Sequence, residues 1–416
     1  MYERFINGKQ VGDQVLAPAP TDYRRTVLYN SFDVTDMLAS DNAIGIVLGN
    51  GRYYTMRQNY KPYKIAQFGY PKVRMNLIIE YADGTTQRVN TDEKKWKLTG
   101  DGPIRSNNEY DGEEYDARKE LGNWTVVGYD DSKWNLAQRV AIPYGNLHGA
   151  QAPNMKVMKE VKAVSIKQYG DRYIVDFGQN MAGWVRMKVR GGASGDTIRM
   201  RYSELLTADG KNLKLENFRD ARSTDTYICN GKENGREWSA RFSYHGFRYI
   251  ELTGYKNPQL SDFVAELIFD EMETHGTFEC SNAVLNRVYQ NAWWGIASNY
   301  KGLPVDCPQR NERQPWLGDR PMGSWGESFR FNNGQLYAKW MDDIREAQRE
   351  DGCIPDVAPA FWNYYTDGMT WPSALPVICD MLYEQYGNIE PIRKNYDAIV
   401  KCWYFFSLPF VPVAKR

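Results

Sequence analysis

Apolar residues alternate with mostly polar ones between positions 73 and 81 (Val73, Met75, Leu77, Ile79, Tyr81), the pattern of a half-buried strand. Turn signals at Asn7-Gly8, Gly49-Asn50-Gly51 and Asp83-Gly84 punctuate residues 1–150 as a first β-rich unit. A second is expected over residues 151–272. Its glycines at 178, 183, 191, 192 and 195 read as bulges and turns. They do not form a phosphate loop, because no helix opening on Lys-Ser/Thr follows. Phe242–Ile250 reads as a strand of alternating residue size with a kink at Gly246. The period then lengthens. Ser281 is a plausible N-cap, and Leu285, Val288, Tyr289, Ala292, Trp293 and Ile296 follow at helical spacing. Further helices are expected from about Leu336 through Ile344 to an end near Asp351-Gly352, from Ala374 to Tyr386-Gly387, and over Ile392–Trp403, with a short one after Trp316. Residues 273–416 therefore form a helical unit of about five helices.

At 416 residues the chain exceeds one ordinary core, which agrees with two or three domains. Lys plus Arg and Asp plus Glu number 52 each, so no field for nucleic acid or an anionic membrane surface is implied. No apolar run is long enough to span a bilayer. The 13 Trp and 29 Tyr suit carbohydrate contact, although most aromatics fill cores. Cys229, Cys280, Cys307, Cys353, Cys379 and Cys402 show no CxxC spacing and read as free, mostly buried thiols. Three histidines make a histidine-ligated metal improbable, and His245 reads as a satisfied core residue. Asp111-Gly112-Glu113 lacks EF-hand spacing and reads as a turn. Met1 leads straight into a strand and turn, with no signal peptide in this chain. Localisation stays open between cytoplasmic and, if the N-terminus is clipped, periplasmic.

Chemistry concentrates in Asp306-Cys-Pro-Gln-Arg310-Asn-Glu312-Arg313-Gln-Pro-Trp316-Leu-Gly-Asp319. Pro308 and Pro315 disfavour continuous helix, so this is a loop. Carboxylates can move protons and hold hydroxyls, arginines tune their acidic neighbours, and an indole stacks on apolar sugar faces. A surface loop laced with ion pairs is the alternative.

The string resembles the signature of bacterial α-L-rhamnosidases, glycoside hydrolase family 78, whose usual form is close to DCPQRDERLGWTGD. The likeness runs over nearly the whole chain: Tyr110–Arg118 and Val175–Val185 also resemble family stretches. It implies two β-sandwich domains, the first lectin-like and the second concanavalin-like, followed by an (α/α)6 barrel. It implies an inverting glycosidase releasing terminal α-L-rhamnose from oligosaccharides or glycosides, with no cofactor and no metal. By position, Glu312 aligns with the general acid, Asp306 and Asp319 with residues holding sugar hydroxyls, and Arg310 with their partner. Trp316 aligns with an indole at the pocket, and Trp362 and Trp371 are candidates for the wall facing the sugar's methyl group. Asn311 stands where the family usually has Asp, and Thr370-Trp371-Pro372-Ser373 replaces a common Gly-Trp-Gly-Asp. Twelve helices make such a barrel, so this unit is expected to be about half of one, with the general base outside it. A non-catalytic carbohydrate-binding protein with a truncated barrel is the rival. Aglycone, linkage and oligomeric state stay open.

Overall fold

The computed structural model describes residues 1–55, 68–366 and 368–407. Asp367, in the loop carrying Trp362 and Trp371, lies outside the described residues, as do residues 408–416. Two sheet-rich regions precede a helical one. In the first, Tyr2–Ile6 pairs with Lys9–Gln10 and Ile44–Leu48, and the expected alternating strand runs Asn76–Glu80 against Thr86–Asn90. Its burial alternates too, with Leu77 and Ile79 half-buried between exposed neighbours.

The second region is one sheet of ten strands. Its spine is the 19-residue strand Arg172–Arg190, which pairs with His245–Thr253 along its first half and with Phe263–Asp270 from Gly183 to Met187. Val175, Phe177, Val185, Met187 and Val189 face one core together with Tyr202, Tyr227 and Phe247. Two strands from the stretch assigned to the first unit pair within this sheet, and the second begins at Gly112, inside the expected Asp111-Gly112-Glu113 turn. Ile104–Asn108 and Gly112–Asp116 form a hairpin whose second strand pairs in parallel with Thr224–Ile228. The physical reason is burial: Gly112, Glu113, Tyr115 and Asp116 are all buried, which an outer hairpin would not achieve.

Glu113 is therefore a core residue, 1% exposed, and not a group for ions or sugars. Its Oε2 accepts the amide N–H groups of Arg241 (3.2 Å) and Phe242 (3.1 Å). Burial and then the nearby Asp225 push its carboxyl up to about 8 from an ordinary 4.5. A raised folded-state value means stability present at low pH that is lost as pH climbs from about 4.5 through about 8. Glu113→Gln should accordingly gain melting temperature over the wild type at pH 9 relative to pH 6. An equal difference at both pH values would show that Glu113 does not ionise in this window. His245 is likewise satisfied: 0% exposed, with Nδ1 3.1 Å from Ser223 Oγ and Nε2 3.1 Å from Asp225 Oδ1.

Five α-helices follow among the described residues: α1 (Ala283–Ser298), α2 (Pro321–Ser328), α3 (Gly334–Ala347), α4 (Ala374–Tyr386) and α5 (Glu390–Ser407). The cap of α1 is Asn282, one residue after the expected Ser281; its side chain accepts from Val284 and Leu285 N–H. Gly387, at φ 64°, ends α4 in the left-handed conformation that glycine favours. Tyr337, Trp340, Met341 and Ile344 of α3 pack with Leu375, Ile378 and Leu382 of α4 in the helical core, whereas Leu336 joins Phe331 in the core of the large sheet. Helix α3 stops at Ala347, short of the expected end at Asp351-Gly352, because Gln348 turns to an extended backbone. Tyr110 and Phe218, from outside the helical region, complete the helical core. No helix among the described residues is long and apolar enough to cross a membrane. All six cysteines are free, five of them buried.

Candidate active site

The motif loop is closed on itself. Asp306 N–H donates to Gln314 O (2.9 Å), and Gln314 N–H donates to Asp306 Oδ1 (2.7 Å), which ties the two ends of the turn together. It rests on the sheet at Gly246, where a Cβ would come within 2.8 Å of Gln309 Cβ and 3.0 Å of Pro308 Cγ. The kink glycine thus serves a close approach. On the other side, Trp316 bridges to Val357, and Leu317 N–H donates to Asp356 O (2.9 Å). This joins the motif to the loop between α3 and α4.

Glu312 sits at the centre, 7% exposed. Its Oε1 accepts the Trp316 indole N–H (3.0 Å). Its Oε2 is 2.7 Å from Arg310 Nε and 3.0 Å from Arg219 Nη1. Arg310 also reaches Asp306 Oδ2 with Nη2 (2.9 Å), so one guanidinium spans both carboxyls. Burial, and then the charge of Glu312, push the Asp306 carboxyl above its usual range. Ligand atoms of Asp306, Cys307 and Glu312 lie within 4.8 Å of one another. However, burial pushes the Cys307 thiol well up, away from the thiolate a metal needs, and the carboxyls already hold a cation in Arg310.

The fully buried Arg313, at φ 52°, holds the loop from behind. Its guanidinium donates to Tyr244 O (2.8 Å), Arg310 O (3.1 Å), Gln309 O (3.2 Å) and Glu109 O. Arg52, paired with Glu109 at 2.8 Å, donates to the Arg313 carbonyl.

Glu312, Asp306, Arg310 and Trp316 are thus brought together, as the sequence suggests. Trp371 lies apart from them in sequence but packs its indole on Gly318, where a Cβ would come within 2.5 Å of the ring; it is 38% exposed. Asp319, the next residue after Gly318, is exposed and makes no hydrogen bond or ion pair among the described residues. Trp362 is only 5% exposed. It packs edge-on against Trp316 at 6.1 Å and against Tyr364 at 5.9 Å, so its ring is covered.

Three family descriptions match in succession. Residues 1–159 match the alpha-L-rhamnosidase N-terminal domain, 166–269 the bacterial alpha-L-rhamnosidase concanavalin-like domain, and 273–405 the bacterial alpha-L-rhamnosidase 6 hairpin glycosidase domain. The chain belongs to the bacterial α-L-rhamnosidase family. An alpha-L-rhamnosidase of Formosa agariphila is 32% identical over 96% of this chain and 43% of its own length. One from Streptomyces avermitilis is 35% identical over 96% of this chain and 38% of its own. Among solved structures, the Dictyoglumus thermophilum α-L-rhamnosidase superposes with a TM-score of 0.92 at 38% identity, covering 97% of this chain and 45% of that one. The Streptomyces avermitilis enzyme complexed with L-rhamnose gives 0.91 at 31% identity, over 97% and 39%. This rhamnosidase-family chain therefore spans less than half the length of these relatives.

Three charged residues at the site were not singled out from sequence: Arg219 on Glu312, and the Arg52–Glu109 pair behind Arg313. No spacing marks them, since each reaches the motif from a separate sheet-rich stretch.

Proposed function

We propose that this chain supplies the acid-bearing side of an inverting glycoside hydrolase that releases terminal α-L-rhamnose from rhamnosides. The observation that carries the reading is Glu312 itself, a nearly buried carboxyl held by an indole N–H and two guanidiniums beside a second buried carboxyl, Asp306. Glu312 protonates the departing oxygen while a base on the opposite face of the sugar activates water; inverting pairs stand about 6.5–9.5 Å apart. We assign that base to no residue of this chain. Asp306 and Asp319 hold sugar hydroxyls, and Arg310 orients both Asp306 and Glu312. Trp316 and Trp371 offer apolar faces to the deoxy sugar's methyl group, and Trp362 buttresses Trp316 from behind. The domain plan that fits is two β-sandwiches, bounded near residues 150 and 272, then an (α/α)6-type helical region.

A panel of aryl glycosides tests the substrate class. With the chain extended to the full length of its relatives, release of the aryl group from the α-L-rhamnoside, and not from other deoxy sugars, is the expected result; L-rhamnose binding without turnover by that longer protein would favour a carbohydrate-binding role. Asn311, 7% exposed and next to Glu312, gives a finer test. Asn311→Asp puts a carboxylate beside the acid and should extend the alkaline limb of the pH–rate profile. An unmoved limb would mean that position 311 does not sense the acid.

A further inference from the structure

Arg219 has an unusual backbone for an arginine, at φ 56° and ψ −119°. Glycine enters that region freely and L residues rarely do. Both flanks are pinned. Phe218 is 2% exposed in the helical core beside Tyr110, and Ala221 is buried there too. Arg222 N–H donates to Asp111 Oδ1 (3.2 Å), and Ser223 N–H donates to Tyr110 O (3.2 Å). This second-region loop is thus docked into the helical region, and the unfavourable turn projects the Arg219 side chain at the motif. The side chain is 54% exposed, and its one tie among the described residues is the 3.0 Å ion pair to Glu312 Oε2.

We infer that Arg219 is a positioning residue for the acid: it occupies Oε2 while the site is empty and steadies the carboxylate that proton donation leaves behind. The inference rests on the reading of Glu312 as proton donor. Oε1 faces the Trp316 N–H, and Oε2 faces Arg310 and Arg219. A proton aimed at the glycosidic oxygen needs one of these sites cleared. Arg310 is also bonded to Asp306 at 2.9 Å and cannot leave without breaking a second ion pair. Arg219 can, being half exposed and singly held. In the reaction the glycosidic C–O bond breaks, its electron pair goes to the leaving oxygen, and that oxygen takes the Glu312 proton. Water bonds to the anomeric carbon from the opposite face and gives a proton to the base there. Glu312 is then a carboxylate, and the Arg219 cation is the charge that favours it. The other groups facing Glu312 are the Arg310 cation, the Asp306 carboxyl, the Cys307 thiol and the Trp316 N–H, with Asn311 adjacent in the chain. Removing Arg219 leaves one cation and the opposing Asp306 charge.

Wild type, Arg219→Gln, Arg219→Lys and Arg219→Gly, each extended to the full length of the relatives so that a base is present, are compared on an aryl rhamnoside and a rhamnosyl disaccharide across pH. Glutamine and glycine should raise the alkaline limb of kcat/KM by roughly half to one pH unit. They should slow the disaccharide about 5- to 20-fold while nearly sparing the aryl substrate, since a weaker acid hurts only the leaving group that needs a proton. Lysine should restore most of both. Arg219→Gly relieves the backbone, so its melting temperature should hold or rise while the pH profile still moves. Carbodiimide labelling of Glu312, read by peptide mass against pH, reports the same midpoint without turnover. No rhamnoside cleavage by the wild type would count against the proposed function, and the labelling midpoint would then decide the role of Arg219. An unshifted limb and midpoint in both Arg219→Gln and Arg219→Gly would overturn the inference, as would activity lost only in step with melting temperature.

Discussion

In the chain extended to the full length of its relatives, Glu312→Gln is expected to slow rhamnose release from alkyl or glycosyl rhamnosides by roughly 10²- to 10⁴-fold, the usual worth of a positioned proton donor. An aryl rhamnoside with a good leaving group should lose far less, because a phenolate departs without a proton. The amide keeps the size of the carboxyl and can still accept the Trp316 N–H through its oxygen, which stands 3.0 Å from Glu312 Oε1 in the wild type. What it lacks is the proton and the charge that pairs with Arg310 and Arg219. Arg219 is half exposed, so losing that pair should change stability little. The decisive quantity is therefore the ratio of the two kcat/KM losses. Equal losses on both substrates would remove Glu312 from the acid role and leave it a sugar-holding residue.

Local pattern made much of this molecule legible. Helix α4 begins and ends where the Ala374–Tyr386 stripe and Gly387 predict, because periodicity and a left-handed stop act within one turn of the residues that cause them. The motif loop was equally readable: Asp306, Arg310, Glu312 and Trp316 are close in sequence and meet in one turn. Long-range pairings were not. The strand Gly112–Asp116 could have closed on its own unit. Its parallel register with Thr226–Ile228 follows from burying Tyr115 against Tyr227, a contact that no local signal carries. The three tryptophans show the same limit. Trp316, Trp362 and Trp371 sit in similar loops, and only packing separates the covered Trp362 from the exposed Trp371. Arg219 was invisible because its loop is anchored by Phe218, an ordinary core residue, in another region's core.

Arg313→Met should cost about 3–5 kcal/mol, because several buried carbonyls lose their donor at about 1–3 kcal/mol each and relaxation recovers part of that. Arg313 follows Glu312 directly in the motif, yet its side chain is sealed from solvent. The guanidinium lies over Tyr244 (4.7 Å to the ring centre) and Tyr110 (5.5 Å) and donates to four carbonyls, those of Glu109, Tyr244, Gln309 and Arg310. Two of those carbonyls belong to the sheet-rich regions and two to the motif loop, so one side chain fastens the loop to its platform. Methionine fills a similar volume but donates nothing, and carbonyls buried without donors each carry a desolvation cost. The left-handed backbone at φ 52° remains, now without the contacts that hold it. At roughly 2–4 °C per kcal/mol for a domain of 150–250 residues, the melting temperature should fall by about 10 °C. Activity should fall with it, since Glu312 is the neighbouring residue and its carbonyl is held by Gln314 Nε2 at 2.6 Å within the same turn. The two effects can be separated by assaying well below the transition, where a residual loss on aryl and glycosyl substrates alike would report a displaced loop. A melting temperature within about 2 °C of wild type would show that these four carbonyls find other donors, and that the loop does not depend on Arg313 for its position.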